Sequence, residues 1–160
     1  MVLKSAIVAY IHYLSFAIIF ATLTIEHLTF KAELTFKDAV KILIVDTLYG
    51  LAGTAILVTG ILRVLYFGQG KEFYTENPVF WVKVGIFIFV GLLSLYPTIS
   101  YLFWIKPLRA KEIPTVSELQ AKLIPIVIRV ELLGFGLIPL VATLMARGIG
   151  YPEVLSLLLP

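Results

Sequence analysis

The stretch VFWVKVGIFIFVGLLSLYPTISYLFWI, residues 79–105, runs for twenty-seven residues with a single charged side chain, Lys83. As a helix rising 1.5 Å per residue it covers about 40 Å, more than the ~30 Å hydrocarbon layer of a bilayer. It shows no alternation of polar and apolar residues, so it does not read as a barrel strand. Three more runs of this kind lie around it, at residues 2–28, 39–67 and 123–146. The whole chain agrees: 60% of its 160 residues are hydrophobic and only 14% are charged, where soluble domains carry about a quarter. Too few charges exist to coat a water-facing surface. The expected fold is an all-α integral membrane protein, one domain over residues 1–160 built as a bundle of four transmembrane helices.

Several function classes fall away at once. No cysteine is present, which removes disulfides, thiolate metal sites and cysteine nucleophiles. A net charge of +3 belongs to the loops of a membrane protein and not to a nucleic-acid surface. The apolar run from Ser5 to Ile25 is too long for a signal-peptide core and ends without an A-x-A-like site, so it reads as a retained helix. Asp38 reads as the N-cap of the second helix. Gly68-Gln69-Gly70-Lys71 opens a loop that closes at Asn77-Pro78. Pro114 to Glu118 reads as an interfacial segment with a short helix, and the tail Val154 to Pro160 as lying on the bilayer surface. The first and third loops hold Lys31, Lys37, Lys41, Lys106, Arg109, Lys111 and Lys122, against Lys4, Arg63, Lys71 and Arg147 on the other side. The positive-inside rule then places those loops in the cytoplasm and both termini outside the inner membrane.

Ionisable groups inside a bilayer are costly and mark function by default. At 100° per residue His12, Ser15, Thr22 and Glu26 share one face of the first helix. Asp46, Tyr49, Gly50, Gly53, Gly60 and Arg63 share one on the second, where small residues let a neighbour approach. Lys83, Ser94, Thr98 and Tyr101 share one on the third. The fourth carries Arg129, Gly136 and Thr143 on one face and Glu131 near another. Such stripes are expected to face a common interior. Alternating helix directions then sort the groups into two layers. Glu26, His27, Asp46, Tyr49, Thr98, Arg129 and Glu131 form an inner polar cluster, with Asp46 paired to Arg129 and Glu131 as a competing partner. His12, Arg63, Trp81 and Lys83 form an outer, cationic layer. Trp81, Tyr101 and Trp104 read as interfacial belt aromatics.

The outer layer suits an anionic amphiphile. A b-type haem or other tetrapyrrole wants an imidazole for its iron, supplied by His12, and cations for its propionates, supplied by Arg63 and Lys83, with Trp81 alongside. A quinone or a lipid headgroup fits the same chemistry. His12 and His27 stand ~22 Å apart along one helix, so one iron cannot take both. The haem would be five-coordinate, use Met145, or sit between subunits. No H-E-x-x-H zinc motif is present. The alternative is an oligomeric transporter or proton-conducting protein using Asp46, Arg129 and Glu131, since four helices are few for a monomeric transporter. A third reading is a structural or assembly subunit of a membrane complex. Partners in each case are the bilayer and a second copy or a membrane-complex subunit.

Three motif groups carry a family resemblance. They are Tyr10 to Ala17 with Ile25-Glu26-His27-Leu28, Asp46 to Gly50 with Thr59 to Arg63, and Gly68 to Lys71 through Phe80 to Lys83 and Ser94 to Thr98. Together they resemble DUF2214, a family of bacterial membrane proteins, over nearly the whole chain, which implies fold and location. A more distant likeness is to the HemJ-type protoporphyrinogen oxidases and the copper-resistance membrane domains. That resemblance implies haem binding, with His12 matching a first-helix histidine and Lys83 a third-helix lysine. The tyrosine–histidine pair expected later on the third helix reads Tyr96-Pro97 here, so the oxidase activity is not carried over.

Overall fold

The structure is a computed structural model, and it describes residues 2–150. Within them every regular element is helical: α1 (Val2–Thr29), α2 (Phe36–Leu62) running into a π-helical turn (Arg63–Phe67), α3 (Lys71–Thr75), α4 (Pro78–Leu102), α5 (Ile105–Arg109) and α6 (Glu118–Ala146). Four of these stretches are long and apolar enough to cross a membrane. The proposed surface tail from Val154 to Pro160 lies outside the described residues.

Local chemistry sets where the helices begin, and it moves two of the expected boundaries. Thr35, not Asp38, is the N-cap of α2. Its hydroxyl accepts from the Asp38 amide while the Asp38 carboxylate accepts from the Thr35 amide, a reciprocal capping box. Ser117 and Gln120 repeat the motif at α6, which therefore starts at Glu118. Hydropathy misses these first turns because capping uses polar residues. Asn77 caps α4 ahead of Pro78 at the first helical position. The short helix of the third loop lies at Ile105–Arg109, while residues 112–117 have no regular structure.

The long helices pack along a repeating three–four spacing. Buried positions are Ser15, Ile19, Thr22, Glu26 and Thr29 on α1, and Ile42, Val45, Tyr49, Ala52, Ile56 and Thr59 on α2. On α4 they include Val90, Ser94, Pro97 and Tyr101, and on α6 Ile124, Ile128, Glu131 and Phe135. This three–four spacing puts the buried side chains on one face of each helix. α1 packs chiefly on α2 and α4 on α6, and the two pairs meet through α1–α6 and α2–α4. Outward faces carry exposed apolar side chains such as Leu51, Phe89, Leu92 and Leu133, as a lipid-facing surface does.

Two packing expectations are corrected here. Tyr101 and Trp104 are not belt aromatics: they are 0% and 3% exposed and pack with Phe30. The chain folds back through α5, and Leu34 and Leu108 join the same core. Of the small residues of α2, Gly60 meets the His12 ring of α1, but Gly50 and Gly53 are not close contacts. A Cβ at Gly50 or Gly53 meets open space. The tight approach is at Gly134 of α6, where a Cβ would collide with a methyl of Val90 on α4. Val90 is β-branched and stiff, so Gly134→Ala should destabilise the protein by about 1–3 kcal/mol, read by thermal unfolding in detergent. Gly50→Ala should show no such loss.

Candidate functional site

The seam gathers polar groups at two levels. At the level nearer the loop that joins α1 to α2 stand three carboxyl side chains from three helices: Glu26 (2% exposed), Asp46 (6%) and Glu131 (1%). α4 completes the ring with Thr98, whose hydroxyl donates to Asp46 Oδ1 at 2.8 Å, and with Tyr101. Glu26 Oε1, both carboxyl oxygens of Glu131 and the Tyr101 hydroxyl are buried with no hydrogen-bond partner. Tyr49 is buried on the same seam. His27 is half-buried, its Nδ1 without a partner, and it follows Glu26 by about 100° of helix rotation, so it leaves the ring.

Arg129 is not part of this cluster. It is exposed on the outer surface of α6, as are Gly136 and Thr143, so that stripe faces away from the bundle. The expected pairing with Asp46 does not form. Arg129 lies off the seam while Glu131, two residues on, lies on it. Coupling between Asp46→Asn and Arg129→Gln in a double-mutant cycle should therefore stay below ~0.5 kcal/mol. Thr98→Val, by contrast, removes the donor to Asp46 and should cost about 1–3 kcal/mol. Among the described residues no group of three acidic or histidine side chains is placed to hold a metal ion.

At the other level the geometry is basic. His12 Nδ1 lies 3.0 Å from Thr59 Oγ1, and the Thr59 hydroxyl lies 2.6 Å from the Ala55 carbonyl. A hydroxyl has one proton, and at that distance it goes to the carbonyl. With the hydroxyl proton on the carbonyl, the contact is a hydrogen bond only in the tautomer that carries the proton on Nδ1 and the lone pair on Nε2. The ring lies close against Gly60. Arg63 Nη2 donates to the Tyr13 hydroxyl at 3.2 Å and its guanidinium lies 4.9 Å from that ring. Lys83 Nζ sits 5.1 Å from the Phe80 ring. Arg63 and Lys83 both act electrostatically on the His12 ring.

The π-helical turn that begins at Arg63 widens the helix there, a local device found at functional sites. It is held from outside by Ser5, which donates to the Phe67 carbonyl at 2.8 Å. Trp81 stands apart: it is 55% exposed and donates to the Thr75 carbonyl at 3.0 Å. Met145 is buried against Tyr74 and Phe80 as packing. Thr59 and Tyr13, the partners of His12 and Arg63, fall within the motifs of the family resemblance but were given no role from the sequence. Thr59 falls on the three–four spacing that runs from Ile42, and that spacing was the available signal.

The sequence model of a family described as "Predicted membrane protein (DUF2214)" matches residues 4–150. No curated protein and no solved structure matches the chain.

Proposed function

The chain belongs to the DUF2214 family of predicted membrane proteins, and on that footing we propose that it holds an anionic amphiphile, a b-type haem or related tetrapyrrole, at the His12 level of the bundle. The observation that supports this most is the contact of His12 Nδ1 with the Thr59 hydroxyl oxygen at 3.0 Å. A histidine that ligates iron donates its other nitrogen to a fixed acceptor, and the Thr59 oxygen is such an acceptor. The donor set fits: Nε2 of His12 for the metal, and Arg63 and Lys83 for two carboxylates. Such a haem would be held at its iron by His12 and would supply redox chemistry within the bundle. The chain's own part is to fix the imidazole through Thr59, to hold Arg63 against Tyr13, and to seat the carboxylates on two cations.

Carboxylate recognition is tested with hemin and its dimethyl ester, whose propionates are masked. The ester should bind at least about tenfold more weakly, the size of one charge-assisted hydrogen bond at ~1.4 kcal/mol per decade. Arg63→Gln and Lys83→Gln should each weaken hemin by a similar factor and the ester hardly at all. Equal affinity for hemin and ester in the parent protein would remove the two cations from the site.

The same proposal extends to orientation. The loops at residues 30–35 and 103–117 face the cytoplasm of the cell's inner membrane, and both termini face outward. This follows the lysine and arginine bias. Alkaline phosphatase fused after Pro160 should be active, since that reporter works only outside, and an inactive fusion reverses the orientation.

A further inference from the structure

At the level opposite His12, we propose that Glu26, Asp46 and Glu131, together with the Tyr101 hydroxyl, form a proton-exchanging site in the interior of the bundle. The ligand is the proton itself. The proposal rests on what surrounds the carboxyls and does not depend on what fills the His12 level.

Three helices each deliver one carboxyl to the seam, and the fourth delivers Thr98 and Tyr101. A carboxylate taken out of water must be paired, hydrogen-bonded or neutralised. Pairing is absent: Arg129 points out of the bundle, and among the described residues no lysine or arginine forms an ion pair with the three. Hydrogen bonding is incomplete: Asp46 has Thr98, while three carboxyl oxygens of Glu26 and Glu131 have no partner. Chelation of a metal ion is not available from this set. Neutralisation by protons remains.

A second group points to the same ligand. Tyr101 is 0% exposed, and its hydroxyl has no hydrogen-bond partner. It is in electrostatic contact with all three carboxyls. A buried phenol and buried carboxyl oxygens that make no hydrogen bond leave the interior polar groups unsatisfied, and a proton on each carboxyl lowers that cost. The groups facing the site from each packed element are Glu26 on α1, Asp46 and Tyr49 on α2, Thr98 and Tyr101 on α4, and Glu131 on α6. No base is among them. Carboxyls this close share protons as a unit, because adjacent like charges cannot all ionise.

The test is infrared difference spectroscopy on the full-length protein in phosphatidylcholine vesicles, stepped from mildly acidic to mildly alkaline buffer. Carboxyls in water are ionised throughout that window, so only interior ones contribute. A carboxylic-acid C=O band should be present at the acidic end, shift in heavy water, and fall as the buffer is made alkaline. Glu131→Gln and Glu26→Gln should each remove part of it, and Arg129→Gln should leave it whole. The amides keep the shape of the side chain, and helicity by circular dichroism confirms folding. If one variant fails to fold, the other carries the assignment. A C=O band of constant size means permanently protonated structural acids and overturns the proposal. So does no C=O band at either end, or a band unchanged in the folded variants.

Discussion

Glu131→Leu should stabilise the detergent-solubilised protein by roughly 1–3 kcal/mol, against the usual sign for a core substitution. Glu131 is 1% exposed with both carboxyl oxygens lacking a partner. Leucine keeps an apolar side chain of comparable reach on the seam beside Ile128 and Phe135 and removes two unsatisfied acceptors. Where an acid is paired, the same change strands a charge and costs about 3–5 kcal/mol. The sign of the effect therefore separates an unpaired acid from a salt bridge. It is read from the midpoint of thermal unfolding at fixed detergent concentration. Stability gained at Glu131 should be accompanied by loss of part of the interior carboxyl signal. A loss above ~1 kcal/mol would show that Glu131 has a partner after all.

Tyr101 gives the opposite contrast. Tyr101→Ala should cost about 3–5 kcal/mol, the range for emptying an aromatic site in a packed core. Its ring centroid lies 4.8 Å from that of Trp104 and 6.3 Å from that of Phe30. Alanine would open a cavity between the 101–104 segment and Phe30, which is distant in sequence. Tyr101→Phe keeps the ring and removes only the unpartnered hydroxyl, so it should be neutral or slightly stabilising. Comparing the two by thermal unfolding separates the ring's packing from the hydroxyl's chemistry. A large loss in the phenylalanine variant would mean that the hydroxyl has a structural partner.

The four spans were legible because apolar length is a signal of composition, which needs no knowledge of contacts. The inward faces were legible on α1 and α2, where His12, Glu26 and Asp46 interrupt apolar sequence in step with the three–four spacing. They were not legible on α6. That helix is apolar nearly all round, so periodicity could not choose between the stripe of Arg129 and the stripe of Glu131. The choice is made by packing on α4, where Gly134 admits Val90. The belt reading of Tyr101 and Trp104 failed for a related reason. Aromatics near a span end look alike in sequence whether they meet lipid headgroups or Phe30, and Phe30 lies seventy-one residues before Tyr101.

The pairing of Asp46 with Arg129 was inferred from matching depths, and depth alone says nothing of azimuth. Rotation about the helix decides which side of the bundle a charge meets. With Arg129 turned outward, the acids lie buried at one level, while the half-buried His12, Arg63 and Lys83 lie at the other, with Arg63 against the exposed Tyr13. His12 and Glu26 are fourteen residues apart on α1, about 21 Å along its axis. That separation puts the ligand proposed for the His12 level and the protons proposed for the Glu26 level at different depths of the bundle.

The His12 level is tested most directly by the absorption spectrum of the full-length protein, purified in detergent and then titrated with hemin. A Soret band, present on purification or formed saturably at one haem per chain, is the expected result, together with its loss in His12→Ala. A colourless preparation that takes up no hemin, or an unchanged Soret band in a folded His12→Ala protein, would contradict it.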